Sequence, residues 1–163
     1  NLYATPVTRL EFLLGKQLPY IAIAFVNFLS LLALALLLFR VPVKGSFPAL
    51  AVGALLYVVA TTGFGLLVST FVRTQVAALF ATAVIVIIPA VNFSGLLKPV
   101  SSLAGSAKAM GYSFPSVYFQ QISVGTFAKA LGFADLAVNY LALAAFFGVF
   151  LGLSLALLKT QER

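Results

Sequence analysis

Charge is absent from four long stretches of this chain, and no other feature of the sequence restricts its fold as much. No Asp, Glu, Lys or Arg falls between Lys16 and Arg40, between Lys44 and Arg73, between Arg73 and Lys98, or between Asp135 and Lys159, leaving runs of 23, 28, 24 and 23 residues. A helix needs roughly 20 apolar residues to cross the hydrocarbon of a bilayer. Each run is long enough, and helices satisfy their backbone hydrogen bonds internally where no water is present. The fold class that follows is all-α and integral to a membrane, with about four transmembrane helices.

Composition supports this. Charged residues make up 8% of the chain and hydrophobic ones 63%, against roughly one-quarter charged in a soluble domain. Too few charges remain to coat a single water-facing globule, so lipid must cover the surface. The net charge of +7 does not indicate nucleic acid as a partner. The ten Lys and Arg residues are spread singly at the edges of apolar runs, where basic side chains anchor helices to lipid headgroups.

The chain has no Cys and no His, and its only carboxylates are Glu11, Asp135 and Glu162, all outside the long runs. Thiol nucleophiles, imidazole bases and the usual metal ligands are therefore missing, and a paired-carboxylate site has almost nothing to be made from. Enzymatic chemistry in this chain is not expected, nor is any bound cofactor or metal.

The spans are placed at about 18–39, 48–71, 75–91 and 136–158. Pro48 suits the first turn of its helix, where a missing N–H costs nothing. Arg73 and Thr74 leave room only for a tight connection, so the second and third spans are expected to be antiparallel neighbours. Pro89 is expected to kink or end the third. Residues 96–132 interleave Gly, Ser, Pro and Lys with short apolar pieces. They read as an interfacial or re-entrant segment, with an ordinary surface loop as the alternative.

No initiator Met, signal peptide or basic leader opens the chain, and a segment of a longer protein is expected. Residues 1–16 are amphipathic. Thr5 and Pro6 make a good helix start, Thr8-Arg9-Leu10-Glu11 has the capping-box spacing, and Val7, Leu10 and Leu14 share one face. The expectation is a short helix lying on the membrane before the first span, joined to it through Gly15 and Pro19. Charge does not orient the bundle, because with both termini on one side the basic residues divide five against five.

Ala144, Gly148 and Gly152 recur every four residues on the last span and would admit a second helix closely, unless the repeat is chance in a Gly- and Ala-rich segment. Thr61, Thr62, Gly63 and Gly65 can form a close crossing or a polar patch on a substrate path, or the hydroxyls bond only to their own helix. Asn27, Asn92 and Asn139 need partners in hydrocarbon, so they bond between helices or touch substrate. No span carries an ionisable relay and no Walker-type phosphate loop is present, so any driving force and any ATP hydrolysis belong to another subunit.

The segment Tyr3-Ala-Thr-Pro-Val-Thr-Arg-Leu-Glu-Phe-Leu-Leu-Gly-Lys16 resembles the stretch before the third helix in the second class of bacterial ABC export permeases. Thr5, Pro6, Arg9, Glu11, Gly15 and Lys16 match that family's pattern in order. Asn92-Phe-Ser-Gly-Leu-Leu-Lys-Pro99 is similar to its Phe-Ser-Gly-x-x-x-Pro at the outer end of the fifth helix, and Pro115 with Tyr118-Phe119 falls where members carry Pro-x-x-Tyr-Phe. Val124-Gly125 stands in place of the family's Arg-Gly.

The resemblance covers essentially the whole chain and implies the C-terminal half of a six-helix permease in the bacterial inner membrane. Residues 1–16 would form a cytoplasmic coupling segment and 17–163 the transmembrane domain, with Leu96 to Gly132 facing outward. The implied partners are an ABC ATPase subunit, which supplies ATP and Mg, and a second permease in a homo- or heterodimer. The competing reading is a non-transporting membrane anchor or assembly subunit.

Overall fold

In a computed structural model, the described residues are all but 1–7, Arg73, Leu96, Lys98, Pro99, Leu103, Ala104, Glu162 and Arg163. Six α-helices and one 3-10 turn, Val100–Ser102, make up the described fold: α1 (Arg9–Leu37), α2 (Phe47–Phe71), α3 (Gln75–Phe93), α4 (Gly105–Tyr112), α5 (Pro115–Ala128) and α6 (Ala137–Gln161). α1, α2, α3 and α6 are long and apolar enough to cross a membrane. The connections alternate their direction, so α1 and α3 run from what is here termed the Arg9 end to the Leu37 end, and α2 and α6 run back.

α1 corrects the expected separate surface helix. It runs unbroken for 29 residues, with Gly15 and Pro19 inside it. Its start is set by the capping box: Thr8 Oγ1 accepts the Glu11 N–H at 3.3 Å, and the Glu11 carboxylate accepts the Thr8 N–H at 2.7 Å. Pro19 removes one backbone hydrogen bond, whereas a break beside Lys16 would leave several backbone groups unpaired where little water reaches them. Continuation is the cheaper arrangement. The same reasoning applies to Pro89, which does not end α3; the helix continues to Phe93.

The stretch between α3 and α6 folds back into the bundle. α5 packs antiparallel to α2 along its whole length. Near its start, Ser116 Oγ shares a 3.3 Å hydrogen bond with Tyr57 Oη, and the Phe119 ring stacks on Tyr57 at 4.7 Å. Further along, a Cβ built on Gly53 would lie 2.8 Å from Ile122. At its end, the Thr126 carbonyl accepts the Gly45 N–H at 2.8 Å. The turn between α4 and α5, Ser113–Pro115, reaches Thr61, Ile85, Val86 and Phe150, residues near the midpoints of α2, α3 and α6. α4 and α5 therefore form a re-entrant hairpin that enters at the Leu37 end and turns halfway through the bundle.

The core sits where that hairpin inserts. Leu32, Leu50, Ile122, Leu136 and Leu143 form one buried cluster, joined by Phe28, Tyr57, Tyr118 and Tyr140 at its edge. Tyr140 Oη donates to the Ala49 carbonyl at 2.9 Å, tying α6 to α2. The outer faces remain apolar: Leu18, Tyr20 and Ile23 of α1 and Leu79, Phe80 and Ile87 of α3 are exposed. Lipid or another chain covers such faces, since water would not tolerate them.

Candidate functional site

The residues singled out in the sequence divide into three stations along the bundle. At the Arg9 end, Thr5 and Pro6 lie outside the described residues, and Arg9 opens α1 with its side chain likewise outside them. Glu11 is exposed and committed to the cap. Gly15 is exposed with open space around it, and the Lys16 ammonium lies 4.4 Å from the centre of the Phe12 ring.

The residue that joins this end to the rest is Gln17, which sequence reasoning missed. It is 1% exposed, and its Nε2 donates to the Val59 carbonyl at 2.9 Å and to Thr62 Oγ1 at 3.0 Å. Its Oε1 is buried without a hydrogen-bond partner. The inward face of this stretch is Leu13 with Gln17, four residues apart, and not the expected face of Leu10 and Leu14, since Leu10 is exposed. In lipid, apolar area does not choose which face packs; interhelical hydrogen bonds and close contacts do. An amide at the start of a mainly apolar span was the available signal.

At mid-bundle, the hairpin tip encloses a cavity of about 190 Å³ between Thr61, Phe64, Ile85, Val86, Phe114 and Phe150. Its walls are almost wholly apolar. Thr61 donates to the carbonyls of Tyr57 and Val58, and Thr62 to that of Val58, so both hydroxyls serve their own helix. Thr62 also receives Gln17. Gly63 is a close crossing: a Cβ there would meet Gln17 Nε2 at 3.5 Å and Phe147 at 3.7 Å, whereas Gly65 has open space.

At the Leu37 end, a larger cavity of about 480 Å³ opens among the end of α3, the 3-10 turn, α5 and the start of α6. Asn139 lines it and is buried. The other two asparagines are not brought to it. Asn92 donates to the Ile88 carbonyl of its own helix at 2.8 Å and is exposed, which corrects the interhelical role, and Asn27 is exposed on α1. Ala144, Gly148 and Gly152 are all exposed on α6, and neither glycine has a neighbour within 4 Å of a built Cβ. Among the described residues, no helix packs on that stripe.

Among the described residues, no group of three His, Cys, Asp or Glu is placed to hold a metal ion. What the described side chains provide is an exposed first turn, an amide link to α2, and a hairpin seated on α2.

Comparison with known proteins agrees with this architecture. The family described as "ABC-2 family transporter protein" matches residues 1–156. Escherichia coli K12 "Probable multidrug ABC transporter permease YbhS" is 31% identical over 162 residues, covering 99% of this chain and 42% of that protein. "Probable multidrug ABC transporter permease YbhR" of the same strain is 26% identical over 129 residues, 79% of this chain and 35% of that protein. "Inner membrane transport permease YhhJ", also from strain K12, is 25% identical over 163 residues, 99% of this chain and 43% of that protein. The chain thus spans about two-fifths of the length of these relatives, and no solved structure matches it. With four membrane-length helices and a family match across nearly its whole length, this chain belongs to the ABC-2 transporter family.

Proposed function

We propose that this chain is the membrane-embedded part of a permease subunit in a bacterial inner-membrane ABC exporter. It moves amphiphilic compounds outward, driven by a partner ATPase that binds ATP and Mg, and works beside a second permease in a dimer surrounded by lipid. The names of its relatives, multidrug and inner-membrane permeases, support the substrate class and location.

The observation that carries this reading is the continuity of α1 from its exposed first turn to Gln17 and on to Leu37. In this reading residues 1–16, the α2–α3 connection and the chain end face the cytoplasm, and the hairpin base faces outward. A push on Thr5, Pro6, Arg9, Glu11, Gly15 and Lys16 displaces a rigid helix. The Gln17 amide passes the displacement to α2 at Val59 and Thr62. α2 passes it to the hairpin through Tyr57, Ser116 and Phe119, whose tip bounds the mid-bundle cavity.

The test combines Arg9→Glu with Glu11→Gln, which reverses one charge and removes the other while keeping a residue that completes a capping box. Membrane abundance should be unchanged. ATPase copurification and export of a fluorescent amphiphilic dye should each fall roughly tenfold, the scale of losing charge complementarity at a docking surface. Normal copurification with normal export would reject the coupling role and favour a membrane anchor.

A further inference from the structure

The cavity at the Leu37 end contains chemistry that the coupling path does not use. Two of its polar side chains are more than nine-tenths buried: Ser94, 7% exposed at the end of α3, and Asn139, 9% exposed in the first turn of α6. Both side chains line the cavity wall. Ser94 and Asn139 therefore offer a ligand in this cavity a hydroxyl and an amide. Gln120 and Gln121 of α5 add two amides to the same walls, and Val100, Val124, Leu131 and Leu136 make the remainder apolar.

Two charges of opposite sign stand at the rim. Lys129 and Asp135 both line the cavity and are exposed, and the Asp135 carboxylate is held in place by the Gly132 N–H at 3.1 Å. A ligand of one sign would meet attraction at one of these and repulsion at the other. A ligand carrying both signs would meet attraction at each. The volume lies within the roughly 300–1,000 Å³ usual for small-ligand sites. The position narrows the source further: α3 and α5 end here and α6 begins here, so the cavity lies where spans leave the hydrocarbon, beside lipid headgroups.

We infer that this cavity binds the headgroup of a zwitterionic phospholipid, a phosphate joined to an ammonium. Lys129 attracts the phosphate, Asp135 attracts the ammonium, and the Asn139 amide and Ser94 hydroxyl donate to the phosphate and ester oxygens. The upper parts of the acyl chains lie against Val124 and Leu131. The site holds whether or not the chain exports anything, so its test is a binding measurement independent of ATPase and transport.

Native mass spectrometry of the detergent-solubilised full-length protein reads this directly. It is titrated with dihexanoyl phosphatidylethanolamine, with dihexanoyl phosphatidylglycerol, which is anionic and lacks the ammonium, and with free phosphoethanolamine. The expected result is one saturable phosphatidylethanolamine per chain, with phosphatidylglycerol about tenfold weaker, the scale of one charged hydrogen bond, and free phosphoethanolamine weaker because it lacks the acyl contacts. Asp135→Asn should abolish the preference over phosphatidylglycerol, and Asn139→Leu should weaken both lipids. Asp135 is exposed, so its variant keeps the test decisive if Asn139→Leu fails to fold. Equal binding of phosphatidylglycerol, free phosphoethanolamine competing as well as the lipid, or wild-type selectivity in Asp135→Asn would overturn the proposal.

Discussion

α2 and α6 are each 25 residues long and nearly equal in mean hydropathy over their candidate spans, 2.0 and 2.2, yet they occupy different places in the bundle. In its most apolar window α2 has 39% of its residues buried inside the chain, and α6 has 11%. Both carry spaced small residues. In α2 they are occupied: Gly53 receives Ile122 and Tyr140, and Gly63 receives Gln17 and Phe147. In α6, Ala144, Gly148 and Gly152 face away from the rest of the chain. Hydropathy determines that a helix enters the membrane, but what packs on it there depends on where small residues meet large ones and where polar groups find partners. α2 is central because the hairpin and Gln17 both close on it.

Substitutions of similar size at the two glycine sets should therefore give very different results. Gly53→Leu should have the largest effect. Even its Cβ would stand 2.8 Å from Ile122, which is fully buried and cannot withdraw, so overpacking of about 1–3 kcal/mol or more is expected. The thermal midpoint in detergent checks this; a midpoint equal to wild type would mean that α5 is not seated on α2.

Gln17→Leu comes next. It removes two hydrogen bonds to α2 but also removes the unpaired oxygen, so a loss of about 0.6–2 kcal/mol is expected, the range of interhelical hydrogen bonds in lipid. Dye export in cells should fall further than stability does, because the amide is the link from α1 to α2. Glu11→Ala should lower the thermal midpoint through the lost cap, and Glu11→Gln much less. Comparing the two thermal midpoints separates capping from charge. Gly148→Leu should leave the protomer's thermal midpoint unchanged, having no neighbour within 4 Å, while reducing the yield of cross-linked permease dimer. Unchanged dimer yield would assign that stripe to lipid.

The four spans were legible because absence of charge over a membrane's thickness has few structural explanations. Glu11 was legible as a cap because a capping box is local in sequence. The segment between the third and last spans was legible as interfacial or re-entrant, but its depth was not, since its polarity is intermediate and its depth depends on Gly53 and Gly45 making room for Ile122 and Thr126 more than 65 residues away. Gln17 was not legible. A helix in lipid has no apolar face that must turn inward, so periodicity pointed to Leu10 and Leu14, while the buried pair is Leu13 and Gln17. Asn92 looked costly in hydrocarbon, but the end of α3 offered it the Ile88 carbonyl. Asn139 falls on a cavity that four separate segments assemble, which no local pattern encodes.

The depth of the α4–α5 turn is what makes α2 the centre of the bundle, and it can be measured. The chain has no native Cys, so single cysteines at Ser113, Lys129, Lys44 and Thr74 of the full-length protein can each carry a spin label. All four positions are exposed. Relaxation by oxygen against a water-soluble nickel complex, in lipid nanodiscs, reports the depth of each. Lys44 and Lys129 should fall at one headgroup boundary, Thr74 at the other, and Ser113 near the bilayer centre. A Ser113 label at the same depth as Lys129 would mean that the segment lies flat on the surface, and would contradict the re-entrant hairpin.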